Sequence, residues 1–137
     1  MNVAIKNRGE YGGSLLETAV MLTVIFAVVF WVVEVCGIMF TYSTIANAAE
    51  EGTRYGITRS GVVADDSRII TRVKNFAGIS VHDVSQVSVS VTLPDGGSKP
   101  PNRIQVAVTY TYVPWLSHYV KNPLIMTAYA EGRMVVE

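Results

Sequence analysis

The chain has 137 residues, enough for one domain of ordinary size, and half of them are hydrophobic while only 16% are charged. Acidic and basic residues balance at 11 each and form no basic stripe, which argues against nucleic-acid binding. Cys36 is the single cysteine and lies in an apolar run, so we interpret it as a buried small apolar residue rather than a reactive thiol.

An apolar run from Leu15 to Phe40 dominates the first third of the chain. As a helix its 26 residues would extend about 39 Å, more than the roughly 30 Å of a bilayer's hydrocarbon core. Backbone groups in lipid must pair internally, so the run predicts one transmembrane helix, to which we assign residues 13–40. The run is longer than the apolar core of a secretory signal peptide, so we expect a retained anchor.

The basic residues around this run are distributed unevenly. Lys6 and Arg8 precede it, whereas the next basic residue is Arg54. This asymmetry predicts a cytoplasmic N-terminus and an exported domain at 41–137, anchored in the bacterial inner membrane.

The run contains two carboxylates, Glu17 near its start and Glu34 near its end. Both could simply reach the membrane interface and be tolerated there, and we favour that interpretation for Glu34. For Glu17 the preceding residues favour a function. This part of the chain resembles the processing site of type IV pilin-like proteins. It has a short basic leader, then Gly12 and Gly13, and Glu17 is the fifth residue when Gly13 is counted as the first.

That resemblance implies cleavage of a leader, residues 1–12, by a prepilin peptidase between Gly12 and Gly13, with a cut after Gly13 as the other possibility. It also implies that Glu17 neutralises the new amine of a neighbouring subunit during assembly. An ammonium and a carboxylate in a low-dielectric bundle become tolerable when they pair.

Helical periodicity continues beyond the membrane run. Ala48, Gly52 and Gly56 form a row of small residues at four-residue steps, which predicts close packing on a sheet, and we expect this helix to end near Arg59–Gly61. Asp65–Asp66 then offers an N-cap for a second helix that Gly78 ends. The apolar face of that second helix comprises Ile69, Ile70, Val73, Phe76 and Ala77.

From Val84 onward the period changes to two, which is typical of half-buried strands. Turn-forming residues at 94–101 separate the first strand from a second, whose core face comprises Ile104, Val106, Val108, Tyr110 and Tyr112. A third strand is expected from about Ile125 to Val136. The predicted fold is therefore α+β, with a long N-terminal helix (a transmembrane half and an exported half), a second short helix and a three-stranded antiparallel sheet.

Three segments resemble the TadE-like family of tight-adherence pilus proteins. They are Glu17 at the start of the span, Glu34 to Gly37 near its end, and the nine-residue stretch Asn47–Tyr55. The family typically has an aromatic residue between the acid and the glycine of the second segment, where this chain has Val35-Cys36. The residues that carry the resemblance are Glu34, Gly37, Asn47, Ala48, Ala49, Glu51, Gly52, Arg54 and Tyr55.

The resemblance implies a pilin-like fold and a minor pseudopilin that acts in the assembly of tight-adherence pili. The implied partners are a prepilin peptidase, other pilins or pseudopilins, the inner-membrane assembly platform and the lipid bilayer. A membrane-anchored periplasmic binding or accessory module of a secretion or surface complex is the alternative. Because we find no metal-ligand spacing, nucleophile motif or phosphate loop, we expect neither enzymatic activity nor a cofactor.

Two further points stay open at this stage. Glu51 and Arg54 could form a pair on the helix surface, or could contact the sheet or a partner subunit. Trp115 and Tyr119 could be an exposed binding edge, although we favour a lid over the open end of the core.

Overall fold

The computed structural model describes residues 9–59, 62–81, 83–96, 103–115 and 123–134, without the side chains of residues 9–11. Its elements are α1 (Gly9–Ile57), α2 (Ser67–Ala77), a 3₁₀ turn (Val84–Gln86), β1 (Val87–Thr92), β2 (Arg103–Tyr112) and β3 (Leu124–Arg133). The predicted α+β fold with two helices and a three-stranded antiparallel sheet is confirmed. The chain divides into two compact units, Met1–Cys36 and Gly37–Glu137.

The first unit is the apolar part of α1. From Gly12 onward the helix is long and apolar enough to cross a membrane, and its most apolar window has no buried residue. Thr18 and Thr23 donate their hydroxyl protons to the carbonyl oxygens of Ser14 and Ala19, each at 2.8 Å. These side chains therefore satisfy their hydrogen bonds within the helix, as a lipid environment requires.

The second unit contains the sheet, ordered β1-β2-β3 with antiparallel pairing throughout. Val91 lies opposite Val106, and Val106 lies opposite Ala130, so one register places alternate residues of all three strands on the same face. That face is the core face, and Ile104, Val106 and Val108 are fully buried on it.

Helix α2 and the part of α1 that belongs to the second unit, residues 37–57, cover the core face. Asp66 caps α2 by accepting a hydrogen bond from the backbone N–H of Arg68 at 2.9 Å, and Gly78 is the C-cap, so both predicted boundaries are confirmed. The buried hydrophobic residues of the helices are Ile45, Ala48 and Ala49 of α1 together with Ile69, Val73 and Ala77 of α2.

Several details differ from the prediction. Helix α1 ends at Ile57, before the expected Arg59–Gly61, of which Ser60 and Gly61 lie outside the described residues. Strand β3 covers Leu124–Arg133 and does not include Met134, whereas we expected about Ile125 to Val136, of which Val135 and Val136 lie outside the described residues. Cys36 is exposed, so its interpretation as a buried residue is wrong for the single chain.

Candidate processing, assembly and packing sites

The predicted processing site lies inside a helix. Gly12 and Gly13 belong to α1, which begins at Gly9. A Cβ atom built on either glycine would meet no heavy atom within 4 Å. Packing within the described residues therefore does not explain why glycine stands at either position. Recognition by another protein is the explanation that the predicted processing site offers.

Glu17 follows Gly13 by one helical turn and has an exposed side chain. Its neighbours on the helix are apolar and exposed as well, including Leu16, Val20 and Met21. A carboxylate on such a surface needs a partner or the membrane interface, because an unpaired charge in lipid is costly. The geometry is compatible with the assembly role that the pilin-like resemblance implies.

The second family segment ends at Gly37, where the second compact unit begins. A Cβ atom on Gly37 would lie 3.1 Å from the hydroxyl oxygen of Tyr112, so glycine allows this tyrosine to approach the helix backbone. Glu34, in the first unit, is half-buried.

The third family segment is largely a packing surface. Ala48 and Ala49 are fully buried, and Gly52 is buried against both α2 and the sheet. A Cβ atom on Gly52 would collide with Cγ2 of Val73 and would lie 3.3 Å from Cγ1 of Val106. The predicted close packing of the small-residue row on the sheet is confirmed, and α2 is a second contact of the row.

Gly56 extends the same contact by one turn. A Cβ atom there would collide with Cδ1 of Ile104 in β2 and would lie 3.2 Å from Cδ1 of Ile69 in α2. Because both glycines lie in a helix interior, each costs about 1 kcal/mol of helix propensity, which the close packing offsets.

Glu51 takes a partner that we did not predict. Its Oε1 accepts hydrogen bonds from Nη2 of Arg72 at 2.9 Å and from Nε of Arg72 at 3.1 Å. The pair joins α1 to α2. Arg54 is exposed. Neither the expected surface pair of Glu51 with Arg54 nor a contact of Glu51 with the sheet is present among the described residues.

The two ends of the segment differ in their packing, because Tyr55 packs against the core and Asn47 does not. Asn47 is exposed, whereas Tyr55 is half-buried with the guanidinium carbon of Arg59 located 4.5 Å from its ring centroid. Such a contact is a weak cation–π interaction at an exposed site. Asn47 and Arg54 are thus the family-segment residues that the core does not explain.

Sequence reasoning missed Thr53, which is buried in the same segment. Its hydroxyl lies 3.0 Å from the carbonyl oxygen of Ala49 and 3.3 Å from that of Ala130, and its single proton is available to one of them at a time. A threonine flanked by buried alanines and glycine at helical spacing was the available signal.

The sequence predicts only a capping role for Asp65 and its neighbour Asp66, but Asp65 also binds the edge of β1. Its N–H donates to the carbonyl oxygen of Val91 at 2.9 Å, and its Oδ1 accepts from the N–H of Val91 at 3.0 Å. This arrangement requires a φ of 52° at Asp65, which acidic and amide side chains tolerate better than most. No sequence pattern identifies a contact across 26 residues of this kind.

Trp115 is 88% exposed, so its interpretation as a lid over the core is wrong. Tyr119 lies outside the described residues. Trp115 instead borders an open cleft of about 780 Å³ between the start of the second unit's helix and the end of β2.

A membrane-length apolar helix joined to an α+β unit is the organisation of a single-pass membrane protein. A family model described as TadE-like protein matches residues 12–54, which include Glu17 and the third segment as far as Arg54. The match confirms the resemblance to the TadE-like family over this part of the chain, and it indicates a protein associated with tight-adherence pili. This family is structural and is not known for enzymatic activity.

No curated protein matches the chain, and no solved structure does. In the part of the chain that the structure describes, no cluster of three His, Cys, Asp or Glu side chains could hold a metal ion.

Proposed function

We propose that this protein is a minor pseudopilin that takes part in the assembly of tight-adherence (Flp-type) pili at the inner membrane. The observation that carries the proposal is the TadE-like match over residues 12–54, which begins at the predicted cleavage site. Its partners in this role are a prepilin peptidase, other pilins or pseudopilins and the membrane assembly platform.

The local helix structure supports processing at Gly12–Gly13. A peptidase must draw its substrate into an extended form, and two adjacent glycines lower the helix propensity of the site by about 1 kcal/mol each relative to alanine. Since neither glycine makes a packing contact within 4 Å of its Cβ position, unwinding there leaves the contacts of the second unit intact.

Cleavage creates an ammonium group on Gly13, one turn before Glu17. In a bundle of apolar helices each of these charges is costly alone, and pairing across subunits reduces the cost of both. Glu17 thereby favours a packed filament or assembly intermediate over an isolated helix in lipid.

The test is processing of the full chain when it is co-expressed with its prepilin peptidase. We expect intact mass to show a mature protein that begins at Gly13, and we expect Gly12→Val to prevent cleavage without preventing membrane insertion. Gly12→Ala is the matched control, because it adds a smaller side chain at the same exposed position and should be cleaved at least in part.

Glu17→Ala separates processing from assembly. We expect this variant to be cleaved but to be lost from pull-downs of the pilus subunits, and Glu17→Gln should behave in the same way because it also lacks the charge. A chain that keeps Met1 in the presence of active peptidase would contradict the proposal. The anchored accessory module would then be the better explanation, and immunogold labelling of sheared pili should detect none of this chain in the filament.

A further inference from the structure

The cleft beside Trp115 lies in the second unit and has a volume of about 780 Å³. One wall is the first part of that unit's helix, with Gly37, Phe40 and Thr41. The opposite wall is the end of β2 and the residues that follow it, including Tyr112 and Trp115. The packing of the core does not use this space.

The α1 wall of the cleft lies at the end of the predicted span. Counted from Leu15, a hydrocarbon core of roughly 30 Å ends about 20 residues later, near Val35. A headgroup layer of roughly 5–7 Å takes the next four or five residues, which include Gly37 and Phe40. The hydroxyl oxygen of Tyr112 lies close to the backbone at Gly37, which brings the end of β2 beside this part of α1.

Polar and apolar side chains both line the cleft, and three large apolar or aromatic side chains at this end of the unit are exposed. Trp115 is 88% exposed, Phe40 is 60% exposed and Val113 is 57% exposed. A cluster of large exposed apolar side chains marks an interaction surface, and tryptophan is enriched where one end of a ring meets lipid and the other meets water.

Phe40 belongs both to the predicted span, residues 13–40, and to the cleft. We propose that this end of the unit rests in the lipid headgroup layer, with Trp115 inserted among the headgroups of a zwitterionic phospholipid bilayer. The proposal depends on the membrane span but not on the pseudopilin assignment.

Among the described residues that line the cleft, the charge present is negative, which favours a zwitterionic lipid over an anionic one. Asp83 is the charged residue among the described residues that line it, and its Oδ1 accepts hydrogen bonds from the N–H and hydroxyl of Ser85 at 2.9 and 2.6 Å. A carboxylate repels anionic headgroups, so burial of apolar surface must drive the contact. Binding should therefore need no anionic lipid and should change little with salt.

The chain has two tryptophans, so Trp31→Phe leaves Trp115 as the single indole fluorophore. We would place the full-length variant in phosphatidylcholine nanodiscs and compare ordinary lipid with lipid brominated near the top of the acyl chains. We expect a blue-shifted emission and a loss of about half of its intensity in brominated lipid, as for a tryptophan in the interfacial belt. Aqueous iodide should quench it weakly.

Val63→Trp, made together with Trp31→Phe and Trp115→Phe, is the matched control. Val63 is 60% exposed and follows the end of α1. Ile57, the last residue of that helix, lies about 25 Å beyond Phe40 along the helix axis. This tryptophan should be quenched by iodide and unaffected by brominated lipid.

Two results would overturn the proposal. In the first, Trp115 behaves like the Val63→Trp control, with quenching by iodide and none by brominated lipid, and the cleft then faces water. In the second, lipid quenching requires phosphatidylglycerol and disappears in high salt, so that an electrostatic site replaces the contact proposed here. Because uncleaved chain can be used throughout, failure of the processing prediction would leave this result interpretable.

Discussion

Gly52→Ala is the sharpest test of how α1 packs in the second unit. The added methyl group would collide with Cγ2 of Val73 and would lie 3.3 Å from Cγ1 of Val106 and 3.6 Å from Cγ2 of Ile69. Val73 is fully buried in a helix, where a β-branched side chain has one strongly preferred rotamer. It cannot move aside without displacing its own neighbours.

Two opposing effects determine the size of the change. Replacing glycine by alanine in a helix interior is favourable by about 1 kcal/mol, whereas overpacking a dense core costs typically about 1–3 kcal/mol. We expect the packing cost to exceed the propensity gain, with a net loss of about 1 kcal/mol. For a unit of roughly 100 residues this lowers the melting temperature by about 4–8 °C, and Gly52→Leu should lower it further.

The measurement is thermal unfolding of the full chain in mild detergent, followed by the circular dichroism of the sheet. Val73→Ala removes the methyl groups that the new Cβ would meet, so in that background Gly52→Ala should become neutral or stabilising. Glu50→Ala, at an exposed position two residues earlier, should change stability by no more than about 0.5 kcal/mol. A higher melting temperature for Gly52→Ala in the otherwise native chain would refute the packing described here.

Two acidic residues before α2 give further predictions. The Arg68 side chain lowers the pKa of Asp66 from 3.8 to about 2, so the carboxylate stabilises the fold above pH 4 and this stability is lost as the pH falls through 2. Urea unfolding of the native chain should therefore weaken between about pH 4 and pH 2 more than that of Asp66→Asn, and parallel losses would contradict the assignment. At Asp65, stability should fall in the order native, Asn, Gly, Ala, because Asn keeps an acceptor for Val91, Gly keeps only the positive φ and Ala keeps neither. An alanine variant as stable as the asparagine variant would refute this order.

Local patterns were sufficient to predict α2 and the three strands, although β1 begins at Val87 and the 3₁₀ turn Val84–Gln86 occupies the first residues of the expected strand pattern. In β2, Val106 and Val108 alternate with Ala107 and Thr109, and the structure buries the valines more completely. The cap at Asp66 was equally predictable, since it depends on the residue and the helix that follows it. These features are determined within a few residues of sequence.

Contacts between distant segments could not be predicted in the same way. Glu51 has Arg54 within reach on its own helix, yet it pairs with Arg72, 21 residues further along the chain. The choice depends on where α2 lies against α1, which the sequence pattern of either helix leaves open. The exposure of Trp115 has a similar origin, because an aromatic residue in a connection can cover a core or extend from it.

The glycines of α1 distinguish the two environments of this helix. Gly52 and Gly56 are explained by close approach of α2 and β2, and any side chain there would have to displace a core residue. Gly12 and Gly13 lie in the same helix with no neighbour within 4 Å of a Cβ atom, although the TadE-like match begins at Gly12. A residue that the fold does not require, at a position where the family match begins, is best explained by an external partner.

The same reasoning applies to Asn47 and Arg54, which are exposed and seven residues apart on one side of α1. The matched segment therefore separates into a packing face that holds the second unit together and exposed positions, to which the proposed function assigns the contacts with a peptidase and neighbouring subunits.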